Sequence, residues 1–176
     1  MKRIETESFT GILWSGNQPF TLDIMQDLWV IGAAEFAFYK LGDKYERFAR
    51  DIYDFEKNLP MYDELLPVKL KALERSGSDS VFSFQISVPE PKYYLDPASG
   101  RVMCSQIKTI KNSIRGKYGP KIEHSASDAL LHISDRQAEV EHTIGVLGKY
   151  SECRSYQHPQ SMQLKTALNN YGRPHR

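Results

Sequence analysis

The sequence predicts an α+β sandwich, one small sheet with helices packed on a face. Three observations carry the prediction. Segments 8–14, 33–40 and 81–88 have strand character, two of them with clear alternation of apolar residues. Residues 45–52 and 107–114 repeat their apolar side chains at helical spacing. Strands are separated by helices, with few hairpin signals between them. The chain has 176 residues, enough for one domain with a real core.

The elements follow in order. Residues 8–14 (SFTGILW) form a short strand, and SGNQP turns the chain. Thr21 caps a helix to about residue 31, with Asp23 in its first turn, where the helix dipole favours an acid. From 33 to 40, Ala34, Phe36 and Phe38 alternate with Glu35, Ala37 and Tyr39. Asp43 and Glu46 have capping-box spacing before an amphipathic helix carrying Tyr45, Phe48, Ala49 and Ile52. Asn58 and Pro60 open another helix, which Pro67 breaks or kinks. A turn at 76–80 leads into the strand at 81–88 with Phe82 and Phe84. Residues 89–100, with three prolines, read as a loop.

Residues 101–121 contain Arg101, Lys108, Lys111, Arg115, Lys117 and Lys121 and no acid, a local charge of +6 in a chain whose formal net charge is +1. Ile107, Ile110 and Ile114 lie at helical spacing beside a stripe of Lys108, Lys111 and Arg115. Residues 129–132 form a short buried strand, and Ser134 with Gln137 makes a capping box for a helix to about Leu147. One domain is expected over 1–147, followed by a polar extension over 148–176. The order of elements fits a split βαβ, or ferredoxin-like, arrangement.

Composition excludes several classes. The longest apolar stretch, residues 28–38, is about eleven residues and contains Glu35, well short of the roughly 20 a bilayer span needs. The first residues, MKRIETESF, are charged and lack the apolar core of a signal peptide. Cys104 and Cys153 form no metal-type cluster; a structural disulfide between them is open but unforced, and reduced thiols in a cytoplasmic protein are the expectation. No metal site is expected from the side chains themselves.

His132 stands at the end of an apolar strand, directly before a helix start. A strand fixes the backbone there, and a helix N-terminus supplies donors to an anion. A neutral imidazole nitrogen can attack a phosphoryl group, provided cations neutralise the phosphoryl oxygens. Arg101 and Arg115 are the natural suppliers, through their fork geometry. A partly buried histidine with only a structural role has the same sequence signature.

The order of motifs then carries a resemblance. The chain has Gly100-Arg101-Val102-Met103, then Ile114-Arg115-Gly116, then His132-Ile133-Ser134-Asp135, and upstream Tyr53 followed by Pro60, Met61 and Tyr62. In these motifs, over about residues 9–147, it resembles the nucleoside diphosphate kinases. The resemblance implies a ferredoxin-like four-stranded antiparallel sheet with helices packed on it, and homo-oligomeric assembly. It implies magnesium bound with the nucleotide, and nucleoside di- and triphosphates as ligands. His132 would be the phosphorylated residue, and Ser134 would help to orient it. Arg101 and Arg115 would hold phosphates, and Tyr53 would lie beside the histidine. Met61 would stand where the family stacks an aromatic on the base, with Leu65 also lining the base pocket.

The departures are specific. The phosphate-contacting lysine of the family's first strand corresponds to Leu13, and the asparagine before the histidine to Ala129. The helical glutamate that orients the histidine falls at Thr143, so Glu141, two residues earlier, is the candidate for that role. Thr109 is the candidate for the threonine between the two arginines, and Lys108 or Lys111 for a replacement lysine. Loss of a phosphate-contacting donor costs on the order of 10²–10³ in rate.

Three functions therefore stand side by side. One is phosphotransfer from nucleoside triphosphate to diphosphate through phosphorylated His132. The second is a nucleotide-binding or regulatory module of the same fold that has lost turnover. The third is a nucleic-acid contact through residues 101–121. Labelling with γ-labelled ATP separates the first two, and convergence of His132, Arg101 and Arg115 on one cleft decides whether the resemblance goes beyond the fold.

Overall fold

Alternation along the strands sends side chains to both faces of a central sheet, and helices cover both. The computed structural model describes residues 5–14, 20–122 and 130–155. Its elements are β1 (Thr6–Trp14), α1 (Thr21–Val30), β2 (Ala33–Lys40), α2 (Tyr45–Tyr53), α3 (Tyr62–Arg75), β3 (Ser80–Pro89), β4 (Tyr93–Asp96), β5 (Arg101–Cys104), α4 (Ser105–Tyr118), β6 (Leu131–Ile133), α5 (Gln137–Lys149) and β7 (Arg154–Ser155). The main sheet has the order β6-β1-β3-β2-β7, with every neighbouring pair antiparallel.

The α+β class and the antiparallel sheet agree with the sequence reading. The strand count differs: the expected four-stranded sheet has five strands. Arg154 and Ser155 pair with Tyr39 and Phe38, covering part of the free edge of β2. The chain thus stays with the domain beyond residue 147. Tyr150 is buried and residues 154–155 join the sheet. The rest of the expected polar extension, 156–176, lies outside the described residues.

Helices cover two faces where the sequence suggested one. Phe9 and Leu13 of β1 enter a layer with α1 and α4, while Ile12 and Trp14 enter a layer with α2 and α3. Helix α5 contributes Val140 to the first layer and Val146 and Leu147 to the second. Between Phe9 and Leu13, Gly11 pairs with Phe84 of β3, and the Phe84 ring lies over it. A Cβ at Gly11 would stand 2.1 Å from the ring's Cζ, so any larger residue forces the Phe84 ring to shift.

Local rules were overridden at four places. A bulge between Ala34 and Ala37, with Glu35 at φ 54°, breaks the expected alternation in β2. Ala33, Phe36 and Phe38 consequently share a layer, while Ala34 is exposed. Thr21 begins α1 without capping it, because Phe20 occupies the cap position. Helix α3 starts at Tyr62 and runs through Pro67 unbroken. Pro67 and Asp63 are exposed, so water can satisfy the carbonyl that the proline leaves without a donor. The expected loop at 89–100 contains β4, which forms a hairpin with β5. Among the described residues no helix is long and apolar enough to cross a membrane.

Candidate functional site

Strand β6 is three residues long and pairs with β1, placing Leu131 opposite Leu13 and Ile133 opposite Gly11. Those two side chains enter the layer under α1 and α4. His132, opposite Ile12, points to the other face, where its ring meets the Tyr53 ring edge-on at 5.8 Å. Tyr53, the last residue of α2, is itself stacked on Trp14 at 5.9 Å. His132 is only 7% exposed. Burial, together with the positive charges of Lys111, Lys69 and Arg115, holds its imidazole well below the usual histidine range. The ring is therefore neutral at physiological pH.

A carboxylate accompanies it. Glu139 Oε1 lies 3.5 Å from His132 Nε2, and Glu139 Oε2 accepts the Asp135 N–H at 3.0 Å. Burial and the nearby Asp135 charge push the Glu139 carboxyl up to about 7. Glu141, the residue expected beside the histidine, is exposed instead. Two residues along a helix turn about 200°, so Glu139 and Glu141 look in opposite directions. Thr143 is on the Glu139 face, one turn on, and its hydroxyl lies 3.0 Å from the Ser134 hydroxyl. Ser134 is thus committed to α5 and makes no capping box with Gln137; Arg136 occupies the cap position and Glu139 takes the Asp135 N–H.

Four of the six cations of the basic block meet acids in the fold. Arg101 Nη1 is 3.6 Å from Glu56, Lys108 pairs with Asp96 at 3.4 Å and Lys111 with Asp135 at 2.7 Å. Lys117 pairs with Asp27. Arg115 Nη2 donates to the Leu131 carbonyl at 2.7 Å, tying α4 to β6 beside His132. These acids come from four other segments and offset four of the six positive charges of the block. Lys108 and Lys111 are likewise occupied, and the Thr109 hydroxyl bonds the Ser105 carbonyl. Leu13 is fully buried on the face away from His132, and Ala129 lies outside the described residues.

A cleft of about 460 Å³ opens between the end of α2, the start of α3 and the turn before β5. Tyr53, Glu56, Met61, Leu65, Lys69 and Arg101 line it. Met61 and Leu65 are 55% and 43% exposed, leaving apolar surface at the mouth. Lys69 Nζ lies 4.3 Å from the Tyr53 ring centre and 3.2 Å from Glu56 Oε2. Among the described residues, no group of three His, Cys, Asp or Glu could hold a metal ion.

The structure thus brings together Tyr53, Met61, Leu65 and Arg101. Arg115, His132 and Ser134 are not among the residues lining the cleft, and Glu141 is exposed. The sequence reading missed Glu56, Lys69 and Glu139. Helical spacing could have found Glu139, four residues before Thr143. Glu56 and Lys69 meet only through the fold.

No protein-family model matches the chain, and no curated protein matches it in sequence. Among solved structures, the chain is similar to the nucleoside-diphosphate kinase of Borrelia burgdorferi, determined as a transition-state mimic with bound vanadate and ADP. The identity is 14% and the TM-score 0.46, over 90% of this chain and 96% of that one.

Proposed function

We propose that the chain is a nucleotide-binding module, with the base against Met61 and Leu65 and the phosphates on Arg101 and Lys69. One observation carries this reading: Tyr53, Met61, Leu65 and Arg101, drawn from three separate segments, line one cleft. The cleft combines an apolar mouth with two cations at its inner end, the pairing of chemistries that a nucleotide needs. Magnesium would arrive with the phosphates. Calorimetric titration with ADP and magnesium tests the reading. Binding should be measurable in the wild type and about tenfold or more weaker in Arg101→Ala, which loses a bidentate phosphate donor. No heat with any nucleoside di- or triphosphate would reject it.

A second reading is phosphotransfer through His132. Here an imidazole nitrogen attacks the terminal phosphorus and the nucleoside diphosphate leaves with the bonding electrons. A second diphosphate later takes the phosphoryl group from the histidine. The burial that disfavours a charged His132, and the absence of a hydrogen-bond partner for its Nε2 among the described residues, favour it. Its burial behind Tyr53, outside the cleft lining, favours binding without turnover. Incubation with γ-labelled ATP and magnesium separates the two. Acid-labile, base-stable label that disappears in His132→Ala supports transfer; an unlabelled wild type leaves binding alone.

A further inference from the structure

The inner end of the cleft is a charge cluster that the resemblance did not anticipate. Glu56 ends the short helical turn after α2, and its two oxygens are divided between two cations. Oε2 accepts from Lys69 Nζ at 3.2 Å, and Oε1 faces Arg101 Nη1 at 3.6 Å. All three side chains are largely buried: Lys69 and Arg101 are each 15% exposed and Glu56 19%. The Arg101 contact is too long for a hydrogen bond, and among the described residues the buried Nε and Nη1 of Arg101 have no hydrogen-bond partner. The carboxylate spans the two cations but satisfies only Lys69.

We propose that Glu56 is a resident competitor in the phosphate subsite: its carboxylate occupies the place of a ligand phosphate between Lys69 and Arg101 and must yield when one binds. This rests on the reading of the cleft as a phosphate site. A phosphate has three oxygens on a wider group, enough to keep Lys69 and also reach the unpaired Arg101 donors in the fork geometry guanidinium prefers. With Glu56 in place the cluster carries a net charge of one positive unit, which weakens its attraction for a multiply charged ligand. Lys69, on α3, thus becomes a phosphate-binding residue, and Glu56 sets the affinity.

The test is a calorimetric titration of wild type, Glu56→Gln, Lys69→Met and Glu46→Gln with pyrophosphate and, separately, with ADP. Glu56→Gln keeps an acceptor for Lys69 and removes the competing charge, so both ligands should bind about tenfold more tightly. Glu46→Gln makes the same change in net charge at an exposed helical pair with Arg50 and should leave both affinities unchanged. Lys69→Met should weaken both. If Glu56→Gln does not fold, Glu56→Asp, too short to span both cations, should tighten binding to a smaller degree. Unchanged or weaker pyrophosphate binding in a folded Glu56 variant overturns the proposal, even if ADP binds. Tighter pyrophosphate with no further gain for ADP supports the competitor while rejecting the nucleotide reading.

Discussion

Glu139 Oε1 sits 3.5 Å from His132 Nε2, and burial drives the two groups toward neutrality from opposite directions. Glu139 rises from 4.5 to about 7, so between those values the unfolded chain has released a proton that the folded chain keeps. That group makes stability fall as pH rises from 4.5 to 7. His132 falls below 6.5, so below that value the unfolded chain binds a proton that the folded chain refuses. That group makes stability rise as pH approaches 6.5. The two slopes oppose each other in the wild type. Glu139→Gln should expose the rising slope and His132→Gln the falling one, both read by urea unfolding across this range. One common slope in all three proteins would refute the account.

Gly11 and Phe84 form a second coupled pair. A Cβ at Gly11 would penetrate the Phe84 ring, so Gly11→Ala should destabilise by about 1–3 kcal/mol or more as an overpacked core. Phe84→Ala should cost about 3–5 kcal/mol as a cavity. The double variant should cost clearly less than the sum, because the new methyl enters the space the ring vacates. Additive unfolding energies would show that the ring moves aside freely.

The contrast between these pairs shows what a sequence carries. Alternation in 81–88 and the helical repeat of Ile107 and Ile114 are local, and they gave the sheet, the helices and much of the core. Glu35 disrupted the reading because its bulge depends on the pairing of β2 with β3, which no local period records. The site divided similarly. Motif order pointed to Tyr53, Met61, Leu65 and Arg101, which meet in one cleft. The charge of residues 101–121 is partly offset in the fold, where Asp27, Glu56 and Asp135 approach from distant segments and Asp96 from the preceding strand. Glu141 is nearer to Thr143 in sequence, whereas helical geometry turns Glu139 toward β6 and Glu141 to solvent.

Arg115 and Lys111 should act on stability. Arg115→Ala removes a charged hydrogen bond to the Leu131 carbonyl and should cost about 1.5–3 kcal/mol. Lys111→Ala leaves Asp135 buried without its partner and should cost about 3–5 kcal/mol. Urea unfolding measures both. If Arg115 only anchors β6, ADP affinity at a temperature where the variant is folded should stay within about twofold. A loss as large as that of Arg101→Ala would instead make Arg115 a phosphate ligand.

Met61 offers the sharpest test of base recognition. Its side chain is 55% exposed at the cleft mouth, beside Leu65, and a thioether provides apolar contact without a flat ring face. An aromatic there would stack on a base, an interaction worth about 1–3 kcal/mol. Met61→Trp should therefore tighten ADP binding by about five- to a hundredfold. Pyrophosphate, which has no base, should bind the variant as it binds the wild type. The same substitution at exposed Val68, outside the cleft lining, should change neither affinity. Equal tightening for ADP and pyrophosphate would mean that Met61 acts on the phosphate end. No change for either would place the base elsewhere, because a ring at the mouth of a base-binding cleft has no comparable apolar partner.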